Sequence, residues 1–175
     1  MKKNIAFVLV LLVLFSCNES KTEQNITPEA TVNTTYYLIR HAEKDRSDPA
    51  NKNPELTPEG IQRAQNWAKY FENIKIDQIY STHYNRTMQT AENTASEKKL
   101  SIKSYDPSNL YSAEFKKLTQ GMSVLIVGHS NTTPQFVNAI IGEDKYSDID
   151  DNENGLLFVV RLTGDKANVE IVTVK

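Results

Sequence analysis

The sequence predicts an α/β domain, a three-layer α/β/α sandwich around a mostly parallel central sheet. Three observations carry this. From Tyr36 onward, short apolar runs alternate with longer stretches whose apolar residues recur at helical spacing. One run, Val124-Leu125-Ile126-Val127, is unbroken by polar residues, as suits a strand in the middle of a sheet covered on both faces. A chain of 175 residues with 39% hydrophobic and 24% charged content supports one core and leaves little for a second.

The elements follow in order. Residues 36–39 (Tyr-Tyr-Leu-Ile) form a first strand that stops abruptly at Arg40-His41, and residues 44–54 form a polar loop. Thr57-Pro58 then opens a helix, with Thr as cap and Pro at the first position. Its core face is read from Ile61, Ala64, Ala68 and Phe71, with Trp67 beside it. Residues 78–81 are a second strand, followed by a helix carrying Met88, Ala91 and Ala95. A third strand over 101–105 precedes a helix over 112–118, and the apolar run at 123–127 is the fourth strand. Pro134 starts the next helix, with Phe136, Val137, Ile140 and Ile141 turned inward. Residues 156–162 and 168–174 complete the chain as a hairpin around Thr163-Gly164-Asp165-Lys166.

Residues 1–16 read as an export signal rather than as fold. Lys2 and Lys3 precede an uninterrupted apolar run over 5–15, far shorter than the roughly 20 residues a spanning helix needs. The run ends in Leu14-Phe15-Ser16-Cys17, which resembles a bacterial lipoprotein signal, and that resemblance makes Cys17 the lipidated first residue of the mature chain. Residues 17–35 then form a polar tether, and 36–175 the domain. The expected location is outside the cytoplasm, anchored by lipid to a bacterial membrane on its periplasmic or surface side.

Charge and composition exclude other classes. A net charge of −2 and a pI near 5.9 run against a nucleic-acid partner, for which a domain pI above about 9 is the cue. One cysteine allows neither an internal disulfide nor a thiolate metal site. The acidic stretch 143–153 lacks the Gly and the closing Glu of a calcium loop, and reads as solvated. No cofactor and no metal is expected.

The three histidines carry the rest. His41 follows the first strand and His129 the fourth, so both stand at strand ends, where open α/β sheets bind ligands. Arg40 precedes His41, and Arg86 starts the helix after the second strand. Two guanidinium forks and two imidazoles converging on one crevice suit a phosphoryl group, and Gly128 allows close backbone approach beside His129. A neutral imidazole can attack phosphorus while the arginines offset the oxygen charges.

Leu38-Ile39-Arg40-His41-Ala42-Glu43-Lys44 resembles the opening motif of the histidine phosphatase superfamily, the phosphoglycerate mutase-like clan. Tyr80-Ser81-Thr82-His83-Tyr84-Asn85-Arg86-Thr87, on through Gln89-Thr90-Ala91, resembles its second block, and Val127-Gly128-His129-Ser130-Asn131 its third. Leu56-Thr57-Pro58-Glu59-Gly60 with Arg63-Ala64 resembles the start of its first helix. The resemblance implies a phosphoglycerate mutase-like fold and His41 as a nucleophile that becomes phosphohistidine. It also implies Arg40, Arg86 and His129 as the phosphate clamp, with His129 protonated while phosphate is bound.

Departures from the pattern matter. Ala42 stands where many members have Gly, and Lys44, a further candidate for phosphate binding, where mutases often have a small hydroxyl residue. The Leu-x-Glu block that supplies a general acid is missing. Asp106 takes its place here as candidate acid, with Glu114 and Glu43 behind it. His83, at a variable position, is read as rim. Lacking a large cap insertion, the chain resembles the short phosphohistidine phosphatase-like subgroup.

The implied partner is a phosphorylated small molecule or phosphoprotein, turned over without metal. A serine hydrolase is rejected because Gly128-His129-Ser130-Asn131-Thr132 lacks the second Gly of a nucleophile elbow. The remaining alternative is a non-catalytic lipoprotein that binds a phosphorylated ligand.

Overall fold

The computed structural model of the chain describes residues 32–164 and 166–175. Residues 1–16, Cys17 and most of the expected tether lie outside them. In chain order the elements are β1 (Asn33–Arg40), α1 (Pro58–Phe71), β2 (Gln78–Ser81), α2 (Asn85–Lys98), β3 (Ile102–Ser104), α3 (Ala113–Thr119), β4 (Ser123–Gly128), α4 (Thr132–Ile141), β5 (Leu156–Thr163) and β6 (Lys166–Thr173). The strands form one sheet in the order β3-β2-β4-β1-β5-β6. β3, β2, β4 and β1 run parallel, and the hairpin β5–β6 adds two antiparallel strands at the β1 side.

The alternation of side chains along the central strands explains the three layers. On β4, Leu125 and Val127 face a core shared with Trp67 and Phe71 of α1 and Ala91 and Ala95 of α2. Val124 and Ile126 face the opposite core, with Phe115 of α3 and Phe136, Val137 and Ile140 of α4. β1 divides in the same way, Ile39 on the first side and Leu38 on the second. Strands filled on both faces need an apolar residue at every position, which is why β4 is an unbroken run.

Helix termini obey local chemistry. Thr57 Oγ1 accepts the Gly60 N–H at 3.1 Å, and Pro58 occupies the first turn. A Cβ on Gly60 would fall on the Glu43 carbonyl, so this helix start lies directly against the main chain that follows His41. Ser112 Oγ caps α3 through the Phe115 N–H at 3.1 Å.

Several expectations shift. β1 begins at Asn33, which pairs with Thr163, so the last residues assigned to the tether are sheet. Trp67 is fully buried and Ile61 is half exposed, because the core stripe of α1 runs Gly60-Ala64-Trp67-Ala68-Phe71. On α2 the buried face includes Thr87, Thr90 and Thr94, whose hydroxyls disguised it as polar in the sequence. α4 starts at Thr132, two residues before Pro134. Residues 142–155 are more than a solvated loop: Ile149 and Asn154 are buried.

Candidate active site

Arg40 and His41 leave the end of β1 beside the end of β4, and the His41 N–H continues that parallel ladder by donating to Gly128 O at 2.9 Å. Gly128 has no room for a side chain, since a Cβ would meet the hydroxyls of Tyr105, Thr132 and Thr133 at 2.9–3.0 Å. The main chain after the strand is pinned from two sides. Asn154 Nδ2 donates to His41 O at 2.9 Å, and Ala42 N donates to Thr90 Oγ1 at 2.9 Å.

The imidazole of His41 is 4% exposed. Its Nδ1 lies 2.8 Å from Ala42 O. A carbonyl only accepts, so the proton sits on Nδ1 and Nε2 keeps its lone pair. Burial, and then the charges of Arg40 and Arg86, lower its pKa to about 3, so this ring is neutral at pH 7.

His129 packs edge-on against His41, with ring centroids 5.5 Å apart, and edge-on against Tyr84 at 5.2 Å. Its Nδ1 faces Arg86 Nη2 at 3.4 Å, and its Nε2 lies 2.9 Å from Thr82 Oγ1. Since a guanidinium only donates, Nδ1 is the acceptor and Nε2–H donates to Thr82. Thr82 Oγ1 is in turn 3.0 Å from Thr87 Oγ1, which reaches main-chain carbonyls of the same turn. Burial, Arg86 and Lys44 lower the His129 pKa to about 4, so it too is neutral without a bound anion.

Two arginines complete the cluster. Arg86, in the first turn of α2, stacks 4.4 Å over the Tyr84 ring, and its Nη1 contacts Lys52 O at 3.5 Å. Loop 44–54 is held to that helix start by Asn53, whose Oδ1 accepts the Asn85 N–H at 2.8 Å. Arg40 is 1% exposed; Nη1 donates to Asp150 O at 2.8 Å and Nη2 to Asp151 Oδ1 at 2.6 Å. The Nε atoms of Arg40 and Arg86 are both buried without a protein partner. Lys44, bridged to Leu56, borders the same ground; its pKa is lowered by burial and by the charge of Arg86. It lines a polar cleft of about 230 Å³ with Glu43, Arg46 and Asp151. A second cleft, at the other end of β1 around Thr34, Tyr36 and Tyr111, has no histidine or arginine in its lining.

The structure thus gathers Arg40, His41, Arg86 and His129, and leaves the acid candidates apart. Asp106 is an exposed turn residue whose Oδ1 accepts from Ser108 N and Oγ at 2.8 and 2.7 Å. Those bonds lower its pKa, so at neutral pH it has no proton to give. Glu43 pairs with Arg63 at 2.7 Å, and neither with Lys44 nor with Arg86. Glu114 is exposed in the first turn of α3. His83 is exposed, as a rim residue would be. Thr82, Tyr84, Asn154 and Asp151 were not singled out from the sequence; the first two lie inside the second motif block. Among the described residues, no three His, Cys, Asp or Glu side chains are grouped as metal ligands would be.

Two histidines held neutral make stability pH-dependent. In the unfolded chain both have pKa values near 6.5. Below that pH the unfolded state binds more protons, so the stabilisation present above pH 6.5 is lost as pH falls, and the decline stops only as His129 titrates at about 4 and His41 at about 3. Melting temperatures between pH 7 and 4.5 are expected to fall more steeply for wild type than for a His41→Asn/His129→Asn double variant. Parallel curves would contradict the two low values.

Residues 36–107 match the profile of the Histidine phosphatase superfamily (branch 1), the superfamily that the motifs resemble. No curated protein matches the chain. Among solved structures, the phosphoglycerate mutase from Bacillus anthracis str. Sterne is similar at a TM-score of 0.65 and 14% identity, with 82% of this chain and 94% of that one covered. The protein histidine phosphatase SixA in complex with tungstate is similar at a TM-score of 0.63 and 18% identity, covering 79% and 96%. The alpha-ribazole phosphatase from Shigella flexneri is similar at 0.62 and 16% identity, covering 79% and 96%. The shared feature is the fold, phosphoglycerate mutase-like.

Proposed function

We propose that this chain is a histidine phosphatase that hydrolyses phosphomonoesters or phosphoramidates through a phosphohistidine on His41, in a reaction that asks for no metal. The observation that carries this reading is the His41 imidazole itself: buried, neutral, protonated on Nδ1 by its bond to Ala42 O, and so presenting the Nε2 lone pair among cations. Nε2 attacks phosphorus, and the bond from phosphorus to the leaving oxygen or nitrogen breaks with its electron pair. Arg40 and Arg86 offset the charge on the equatorial oxygens, and their unpartnered Nε–H groups are donors that such oxygens satisfy. A bound dianion raises the His129 pKa from its low resting value, so that Nδ1 gains a proton, gives up the Arg86 Nη2–H it had accepted, and both groups donate to the anion. Water then attacks phosphorus, the P–Nε2 bond returns its electrons to His41, and inorganic phosphate leaves.

Because Asp106 and Glu43 are engaged elsewhere and Glu114 is exposed on α3, leaving groups that depart without a dedicated acid fit best. Phosphohistidine, whose leaving imidazole nitrogen is readily protonated, belongs to this class, as do aryl phosphates. The partner is accordingly a phosphoprotein or a phosphorylated small molecule. Rapid-quench trapping with a labelled phosphodonor tests the reading: an acid-labile, alkali-stable adduct is expected in wild type and none in His41→Ala. Phosphate binding without adduct or turnover, across several donors, would favour the binding-protein alternative.

The export reading belongs to the same proposal, with the enzyme held at a bacterial membrane by lipid on Cys17. Fractionation of the expressing cell is expected to move the protein from membranes to the soluble fraction on Cys17→Ser. Unchanged partition would rule out the lipid.

A further inference from the structure

The acidic segment between α4 and β5 returns one carboxylate to the catalytic end of the sheet. The guanidinium of Arg40 is already held at Nη1 by two main-chain oxygens, Asp150 O at 2.8 Å and Glu153 O at 3.4 Å. Asp151 contributes something else. Its Oδ1 lies 2.6 Å from Arg40 Nη2 and its Oδ2 lies 2.7 Å from Arg46 Nη1, while the side chain is 62% exposed. A carboxylate that reaches in from solvent and gives one oxygen to each of two guanidiniums imitates the oxygens of an incoming anion.

We propose that Asp151 is an internal competitor for the phosphoryl group: its carboxylate holds Arg40 Nη2, yields to substrate, and thereby sets the affinity of the site for anions. The inference rests on the phosphatase reading above. The Nη2–H given to the carboxylate is lost to phosphate, and a carboxylate and a phosphate dianion around one buried guanidinium repel each other. Release is offset at the buried Arg40 Nη2 by the phosphate oxygen that takes the carboxylate's place, while the Arg46–Asp151 pair is exposed on both sides and the freed carboxylate returns to water. The two main-chain bonds stay behind to hold Arg40, so its position outlasts the exchange.

The test uses the full chain, with inorganic phosphate as probe. Phosphate affinity is measured by titration calorimetry and as competitive inhibition of aryl phosphate hydrolysis. The variants are Asp151→Asn and Asp151→Ala, with Asp148→Asn, an exposed acid of the same segment, as the charge-matched control. If the form with Asp151 on Arg40 predominates about ten to one, phosphate binds about tenfold tighter in both Asp151 variants. KM falls with it, kcat changes little, and the control matches wild type. Unchanged or weaker binding in either Asp151 variant would make the residue a support for Arg40 and overturn the proposal, as would equal tightening in the control. A wild-type chain that binds phosphate and forms the His41 adduct, with no tightening in the variants, sinks this inference alone. A wild type that does neither sinks the phosphatase reading and this inference with it.

Discussion

Replacing His41 by Ala is expected to lower kcat by ~10⁴-fold or more, the scale on which a catalytic nucleophile is lost. Phosphate binding should suffer far less, since Arg40, Arg86 and His129 have anchors of their own: the loop at 150–153, the Tyr84 ring and Thr82. The split is what identifies a nucleophile, because a group that only bound substrate would raise KM instead. Steady-state kinetics on an aryl phosphate, with phosphate titration beside it, reads both quantities. Activity within tenfold of wild type would remove His41 from the chemistry.

Arg86→Ala is expected to cost roughly 10²- to 10³-fold in kcat/KM, the effect of deleting one preorganised donor to developing charge. It has a second signature. Among the charges that hold the His129 pKa down, Arg86 is the largest, so its removal raises that pKa. Proton NMR titration of the His129 ring follows this directly. Arg86→Lys keeps the charge and loses the fork and the stacking on Tyr84, so it should leave the ring's titration near wild type while recovering only part of the rate. An alanine variant with full activity and an unmoved titration would place Arg86 outside the site.

The sheet and the meeting of two histidines with two arginines were legible in the sequence for a simple reason. Strand ends are local events: an apolar run stops, and the next residues stand at the crevice. Arg40-His41 and Gly128-His129 announce themselves in that way, and Arg86 does so in the first turn of a helix. The first turn of α1 was equally readable, because Thr57 and Pro58 act on their own neighbours. Helix faces were read less well. The stripe of α2 is lined by threonines whose hydroxyls find partners inside the fold, as Thr90 does with Arg86 O and Ala42 N, so a hydrophobic count places its face wrongly.

What stayed hidden depends on how long segments travel. Nothing in the sequence near Asp151 indicates that it reaches Arg40, or that Asn154 holds the carbonyl of His41. Those contacts join positions far apart in sequence through an irregular segment that has no periodicity to read. Asp106 illustrates the converse. It stands just beyond a strand, as a catalytic acid could, but the Ser two residues later captures its carboxylate in a tight turn, a pattern typical of Asp-x-Ser. Glu43, two residues after His41 in sequence, points its charge at Arg63 on α1.

The position of β1 has a consequence for how the molecule comes to be made. The strand that delivers His41 comes first among the described elements, yet its two neighbours, β4 and β5, are among the last. β1 therefore stays unpaired until nearly the whole chain exists, and the ordering of His41 is a late step with high contact order, slow by comparison with local folding. A chain emerging from its N-terminus cannot close the end of the sheet that holds His41 early. Under the export proposal that delay has a use: the chain stays threadable during passage, and the cluster around His41 forms only after the C-terminal hairpin has arrived.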